Sequence, residues 1–129
     1  FINNMRKIER EMIQAIIDRR SFNKANTSVS LYTSATQPGC GLDTGSASEM
    51  RVHLHGNHIA SYTEDGRLYI NNQGWKTRTT KSRLNALIKH VLGDMSGIYQ
   101  KNFNWFMKQV DNATGKYNEY QIKNGWYLV

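Results

Sequence analysis

Apolar residues recur at helical spacing through the first twenty positions. Met5, Ile8, Met12, Ala15 and Ile16 form a stripe that Ile13 and Ile17 widen, which predicts an amphipathic helix over residues 3–20. Arg6, Glu9, Arg10, Asp18 and Arg19 occupy the other side and read as a solvated face of mixed charge. At Ser28–Thr33 the period drops to two, with Val29 and Leu31 alternating as in a short strand. Residues 34–48 then collect Pro38, Gly39, Gly41 and Gly45 among Ser and Thr, the composition of a long loop.

The centre of the chain carries the clearest alternation. Met50–His55, His58–Thr63 and Arg67–Asn72 read as three antiparallel strands, separated by the turn dipeptides Gly56-Asn57 and Asp65-Gly66. Two-residue turns would set the register. His55 would then face His58, Leu54 face Ile59, Tyr62 face Tyr69, and Thr63 face Leu68. One sheet face would collect Val52, Leu54, Ile59, Leu68 and Ile70 as core. The other would collect Arg51, His53, His55, His58, Tyr62, Glu64, Arg67 and Tyr69.

Helical spacing returns with Leu84, Leu87, Ile88 and Val91, which predicts a second helix capped by Thr79 or Thr80. It runs to about Leu92, with Gly93 as its stop. Lys81, Asn85 and Lys89 lie along a different stripe of it. In the last third two periods compete. Phe103, Phe106, Met107 and Val110 fit a helix, whereas Phe103, Trp105 and Met107 alternate as in a strand. The turn-like Asp111–Lys116 and the strand formers Tyr120, Ile122, Trp126 and Leu128 tip the reading to a β-hairpin. The expected fold is one α+β domain over residues 1–129, an antiparallel three-stranded meander flanked by two helices, with a C-terminal β-hairpin.

Composition sharpens the functional question. The 129 residues carry a formal charge of +7, which favours polyanionic partners. A single cysteine, Cys40, excludes an internal disulfide and suits a reducing cytoplasm. No apolar run approaches the roughly 18 residues that span a bilayer, and no signal peptide is visible, so the expected setting is cytoplasmic without a membrane partner. Met5 suits a coding start, with residues 1–4 a foreign remnant. Asn26-Thr27-Ser28 and Asn112-Ala113-Thr114 match a glycosylation pattern that is common by chance.

The charge is not spread evenly. No acidic residue lies between Asp65 and Asp94, yet Arg67, Lys76, Arg78, Lys81, Arg83 and Lys89 all do. Four of these cations, with Trp75, Thr77, Thr79, Thr80 and Ser82, cluster where the second helix begins. A helix start offers unpaired N–H groups and partial positive charge, so this cluster is a candidate phosphate site. Its expected members are Trp75, Lys76, Arg78, Thr79, Thr80, Lys81, Arg83 and Lys89. It lacks the glycine spacing of a P-loop. A well-capped solvated helix explains the same residues without a ligand. Trp75 stacks on a base in the functional reading and plugs a core edge in the structural one.

The polar sheet face is a secondary candidate surface, made of Arg51, His53, His55, His58, Tyr62 and Tyr69. Three imidazoles on one face suit zinc, copper or acid–base work on a phosphodiester. No nearby carboxylate orients them, so solvent-facing histidines without metal or cofactor are the expected state. Tyr62 and Tyr69 would pair across strands, either as a stacking platform or as plain sheet stabilisation. Cys40 reads as a loop thiol, and no pair of acidic residues suggests catalysis.

Two resemblances follow. The order helix, three-strand meander, helix resembles double-stranded-RNA-binding domains, which also begin their second helix with a basic cluster, although the loop after the first helix is longer here. The segments 52–60, 74–86 and 98–105 resemble small, largely uncharacterised proteins of tailed bacteriophages, over about the last 80 residues. This implies action in the cytoplasm of an infected bacterium and brings no active site with it.

The expected function is that of a non-enzymatic binding protein that contacts nucleic acid or another polyanion through residues 75–83. The alternatives are a phage accessory protein that binds and inhibits a host enzyme or defence complex, and a histidine-dependent phosphoesterase. The double change Lys81→Ala with Arg83→Ala is expected to weaken polyanion binding and leave the fold intact.

Overall fold

The computed structural model describes residues 5–34 and 47–129. Cys40, most of the expected 34–48 loop and residues 1–4 lie outside them. The order is α1 (Lys7–Asp18), β1 (Phe22–Lys24), β2 (Thr27–Ser34), β3 (Ala47–Leu54), β4 (Asn57–Thr63), β5 (Leu68–Ile70), α2 (Arg78–Leu92), β6 (Gly97–Lys101), β7 (Asn104–Val110), β8 (Tyr117–Ile122) and β9 (Tyr127–Leu128). The class is α+β.

Helix α1 buries Met12, Ile13, Ala15 and Ile16, as their spacing requires. It ends where Arg19 turns left-handed, at φ 54°, and Arg20 N–H reaches back to the Ala15 carbonyl. Helix α2 buries Leu84, Ala86, Leu87 and Ile88. Its cap is Thr77 rather than Thr79 or Thr80, since the Thr77 hydroxyl accepts from Thr80 N–H at 3.1 Å.

The central meander exists within a larger antiparallel sheet, ordered β1-β2-β3-β4-β5-β9. Strands β1 and β2 precede the meander, and β9 closes its far edge, so the order shared with double-stranded-RNA-binding domains is only part of the architecture. The C-terminal segment is the expected hairpin extended by a strand: β6, β7 and β8 form a second antiparallel sheet. Trp105, Met107, Ile98 and Ile122 from this sheet join both helices and the larger sheet in one hydrophobic core. The Asn85 side chain fastens the second sheet to α2, accepting from Ile98 N–H at 2.6 Å and donating to the Ile98 carbonyl at 3.0 Å.

The expected β4–β5 register is off by one residue, and the expected β3–β4 register by two beside the turn and by one beyond Val52. The β3–β4 turn is His55-Gly56, with Leu54 opposite Asn57 and His53 opposite His58. Both turn residues have positive φ, 51° and 80°, the conformation that suits a two-residue hairpin. Between Val52 and His53 the register slips, leaving Ile59 as the extra residue of a β-bulge. That bulge returns Val52, Ile59 and Ala60 to the core, so the expected core residues are buried despite the wrong pairing. The β4–β5 loop has three residues, with Thr63 N–H donating to the Arg67 carbonyl and Gly66 at φ 88°. Tyr62 consequently pairs with Leu68, and Tyr69 with Ser61. Tyr62 packs on the core side while Tyr69 lies on the other face, so the expected tyrosine pair does not form. No helix among the described residues is long and apolar enough to cross a membrane.

Candidate nucleic-acid interface

The loop before α2 is shaped by its own side chains. Asn71 Oδ1 accepts from Gln73 N–H and Asn72 Oδ1 from Gly74 N–H, each at 2.8 Å. Gln73 and Gly74 take positive φ, and the Asn72 carbonyl accepts from Trp75 N–H at 2.8 Å. This double turn delivers Trp75 to the surface, where the residue is 59% exposed, so it is not a core plug. Lys76, Thr77 and Arg78 follow it, all exposed, and Thr79 and Lys81 are half-buried. Among the described residues the N–H groups of Arg78 and Thr79 have no hydrogen-bond partner. Lys76, Arg78 and Lys81 form no ion pair there either.

Three expected members are buried or engaged within the fold rather than free on the surface. Arg83 is only 4% exposed and faces inward. Its Nη1 donates to Glu9 Oε2 at 2.8 Å, and its Nε donates to Thr27 Oγ1 at 3.0 Å. Glu9, read from sequence as solvated, is equally buried and also accepts from the Ser82 hydroxyl. Thr80 is buried beneath the cap, with its hydroxyl 2.9 Å from that of Thr77. Lys89 Nζ donates to the carbonyls of Asp94 and Ser96, at 2.7 and 2.9 Å, and so closes the chain between α2 and β6. The surface cluster reduces to Trp75, Lys76, Arg78, Thr79 and Lys81.

The tertiary structure adds neighbours to this cluster. The β3–β4 hairpin tip abuts the start of α2, and a cavity of about 250 Å³ lies between them. Leu54, Ile59 and Trp75 supply its apolar lining, and His55, Asn57, Thr77 and Thr80 its polar lining. His55, expected on the histidine face, belongs here instead, because the turn falls one residue earlier than the dipeptide Gly56-Asn57 suggested. A His-Gly pair can adopt two positive φ values as Asn-Gly does, and this was the available sequence signal.

The remaining sheet face is largely self-satisfied. The Arg51 guanidinium sits 3.5 Å above the Tyr32 ring centre and pairs with Glu49 at 2.9 Å. The rings of His53 and His58 stack at 5.1 Å and 22°, and Trp126 meets His58 edge-on at 4.7 Å. Ring lone pairs lie in the ring planes, so stacked imidazoles do not converge on a shared ion. Among the described residues no group of three His, Cys, Asp or Glu stands where it could hold a metal. Burial, then the Arg51 charge, pushes His53 below the usual imidazole pKa. Burial, then the His53 and Arg51 charges, does the same to His58. His58 Nε2 lies 2.7 Å from the Ser61 hydroxyl, but Ser61 is 5% exposed, which shields that oxygen from a substrate.

The chain significantly matches no curated protein and no solved structure. The sequence model of the Kyanoviridae Gp96 protein matches residues 5–127, well beyond the 80 residues that carried the phage resemblance. A match over nearly the whole chain, on a fold with one continuous core, places this protein in the Kyanoviridae Gp96 family of tailed cyanophages.

Proposed function

We propose that this protein binds nucleic acid through the start of α2. The observation that carries the reading is the exposed Trp75 beside Lys76, Arg78 and Lys81, at a helix start whose first N–H groups have no partner among the described residues. Phosphate oxygens suit those N–H groups and the partial positive charge of the helix end. Three cations without acidic neighbours in sequence neutralise backbone charge without reading bases. The setting is the host cytoplasm, and the role is binding rather than catalysis.

The test is fluorescence anisotropy with short single- and double-stranded DNA and RNA at two salt concentrations. Three phosphate contacts predict a log–log salt slope of about −2.1 for a single strand to −2.7 for a duplex, so affinity falls roughly 20- to 40-fold for a fourfold rise in salt. The triple change Lys76→Ala, Arg78→Ala, Lys81→Ala removes this binding. Salt-insensitive binding, or a triple variant that binds as well as the parent, overturns the proposal.

A protein partner is the second reading, in which the chain occupies and inhibits a host enzyme or defence complex. The observation in its favour is a groove of about 510 Å³ between α1 and α2, lined by Met5, Ile13 and Ile17. Ile17 is 53% exposed on this groove. Capture of one defined host protein from nuclease-treated lysate, lost on Ile17→Asp, supports this reading. Loss of all capture after nuclease treatment removes it.

A further inference from the structure

The cavity beside Trp75 deepens the nucleic-acid reading and rests on it. We infer that this cavity receives one unstacked nucleobase of a single strand, whose flanking phosphates lie on Lys76, Arg78 and Lys81.

The shape comes from two departures from a regular hairpin. Ile59 is the unpaired residue of the β4 bulge, and the bulge places its side chain at the cavity. His55 sits in the turn at φ 51°, and Asn57 follows it as the first residue of β4. Both line the same space. Trp75, delivered by the Asn71 and Asn72 turns, lines it as well. The resulting volume is lined by apolar Leu54 and Ile59, by the aromatic Trp75, and by polar His55, Asn57, Thr77 and Thr80. This mixture fits a planar ring that needs stacking on its face and hydrogen bonds at its edge.

Charge selects the occupant among planar rings. No carboxylate lines the cavity, and Lys76 and Arg78 flank Trp75 and Thr77 in sequence, both exposed. A base that arrives with phosphates on both sides satisfies the cavity and the cations together. A base within a duplex is stacked and paired, so it cannot enter without being extruded. The preferred ligand is therefore a single strand.

The experiment compares four probes with the full chain: a short oligothymidylate, an abasic strand of the same length and charge, the corresponding duplex, and thymidine monophosphate as competitor. The expected result is roughly tenfold tighter binding of the intact strand than of the abasic strand. Trp75→Ala lowers the intact strand to the abasic level and keeps the circular dichroism spectrum. Trp75→Phe retains most of the difference. Equal binding of intact and abasic strands, both salt-sensitive, overturns the base cavity while the phosphate reading stands. Binding of neither strand overturns both. A duplex that binds as tightly as the strand, or a mononucleotide that competes as strongly, overturns the strand as occupant.

Discussion

Replacing Arg83 with alanine should destabilise the fold severely while its helical neighbour Lys81 tolerates the same change. Arg83 and Glu9 each have side chains only 5% exposed, and they join α2 to α1 at 2.8 Å. Removing one member leaves the other charge buried with no counter-charge, which costs about 3–5 kcal/mol. A domain of this size is stabilised by only about 5–15 kcal/mol. Its unfolding entropy, at about 2.1 cal/mol/K per residue over 129 residues, is near 0.27 kcal/mol/K, so Tm should fall by about 11–18 °C. Thermal melts followed by circular dichroism read this directly. Lys81→Ala, at a half-buried position with no ion pair among the described residues, should shift Tm by no more than about 2 °C. The double change Arg83→Met with Glu9→Leu should recover most of the loss, because it removes both charges and leaves apolar volume. A drop below about 3 °C for Arg83→Ala would refute the buried ion pair, because a loss that small is what a solvent-exposed pair, worth about 0–1 kcal/mol, would give. This reverses the expectation that Lys81→Ala with Arg83→Ala spares the fold. Only the Lys81 half tests binding.

Three further outcomes follow from the geometry. Asn85→Ala strips Ile98 of partners for both its N–H and its carbonyl, and should cost about 2 kcal/mol, read as a lower urea midpoint at unchanged m-value. Phe103 is 89% exposed at φ 66°, beside Asn102 at φ 51°, so Phe103→Gly should raise Tm by about 4 °C through relief of the left-handed backbone; a fall in Tm would contradict that account. His53 and His58 have folded pKa values below 6.5, so near pH 6.5 and below the unfolded chain takes up protons that the folded chain refuses. Stability should fall as pH drops from 6.5 towards the folded values and stay level above it, and melts of the His53→Gln, His58→Gln variant should lose that slope.

Much of the fold was legible because the signals were local. Leu84, Leu87 and Ile88 mark a buried helical face wherever the helix lies, and Val52, Leu54, Ile59, Leu68 and Ile70 mark buried strand positions. Strand β1 went unread, since three residues carry no period. The registers failed for a subtler reason. His55-Gly56 and Gly56-Asn57 are both plausible turns; choosing one over the other shifts the cross-strand partners by two residues, and a bulge at Ile59 takes back one of them. Burial of the core residues therefore could not distinguish the two pairings.

The candidate site divides along the same line. The chain alone determined that cations and hydroxyls gather at a helix start without acidic company, because that is a matter of order along the backbone. Whether each cation reaches solvent depends on what packs against it. Glu9 lies 74 residues from Arg83 and turns a presumed phosphate ligand into an interior ion pair. The carbonyls of Asp94 and Ser96 occupy Lys89, and the hairpin tip meets Trp75 to enclose a cavity. Periodicity reports which face of an element is buried. It is silent on which distant residue covers that face, because the free energy of such a contact belongs to the folded arrangement and to no stretch of the chain.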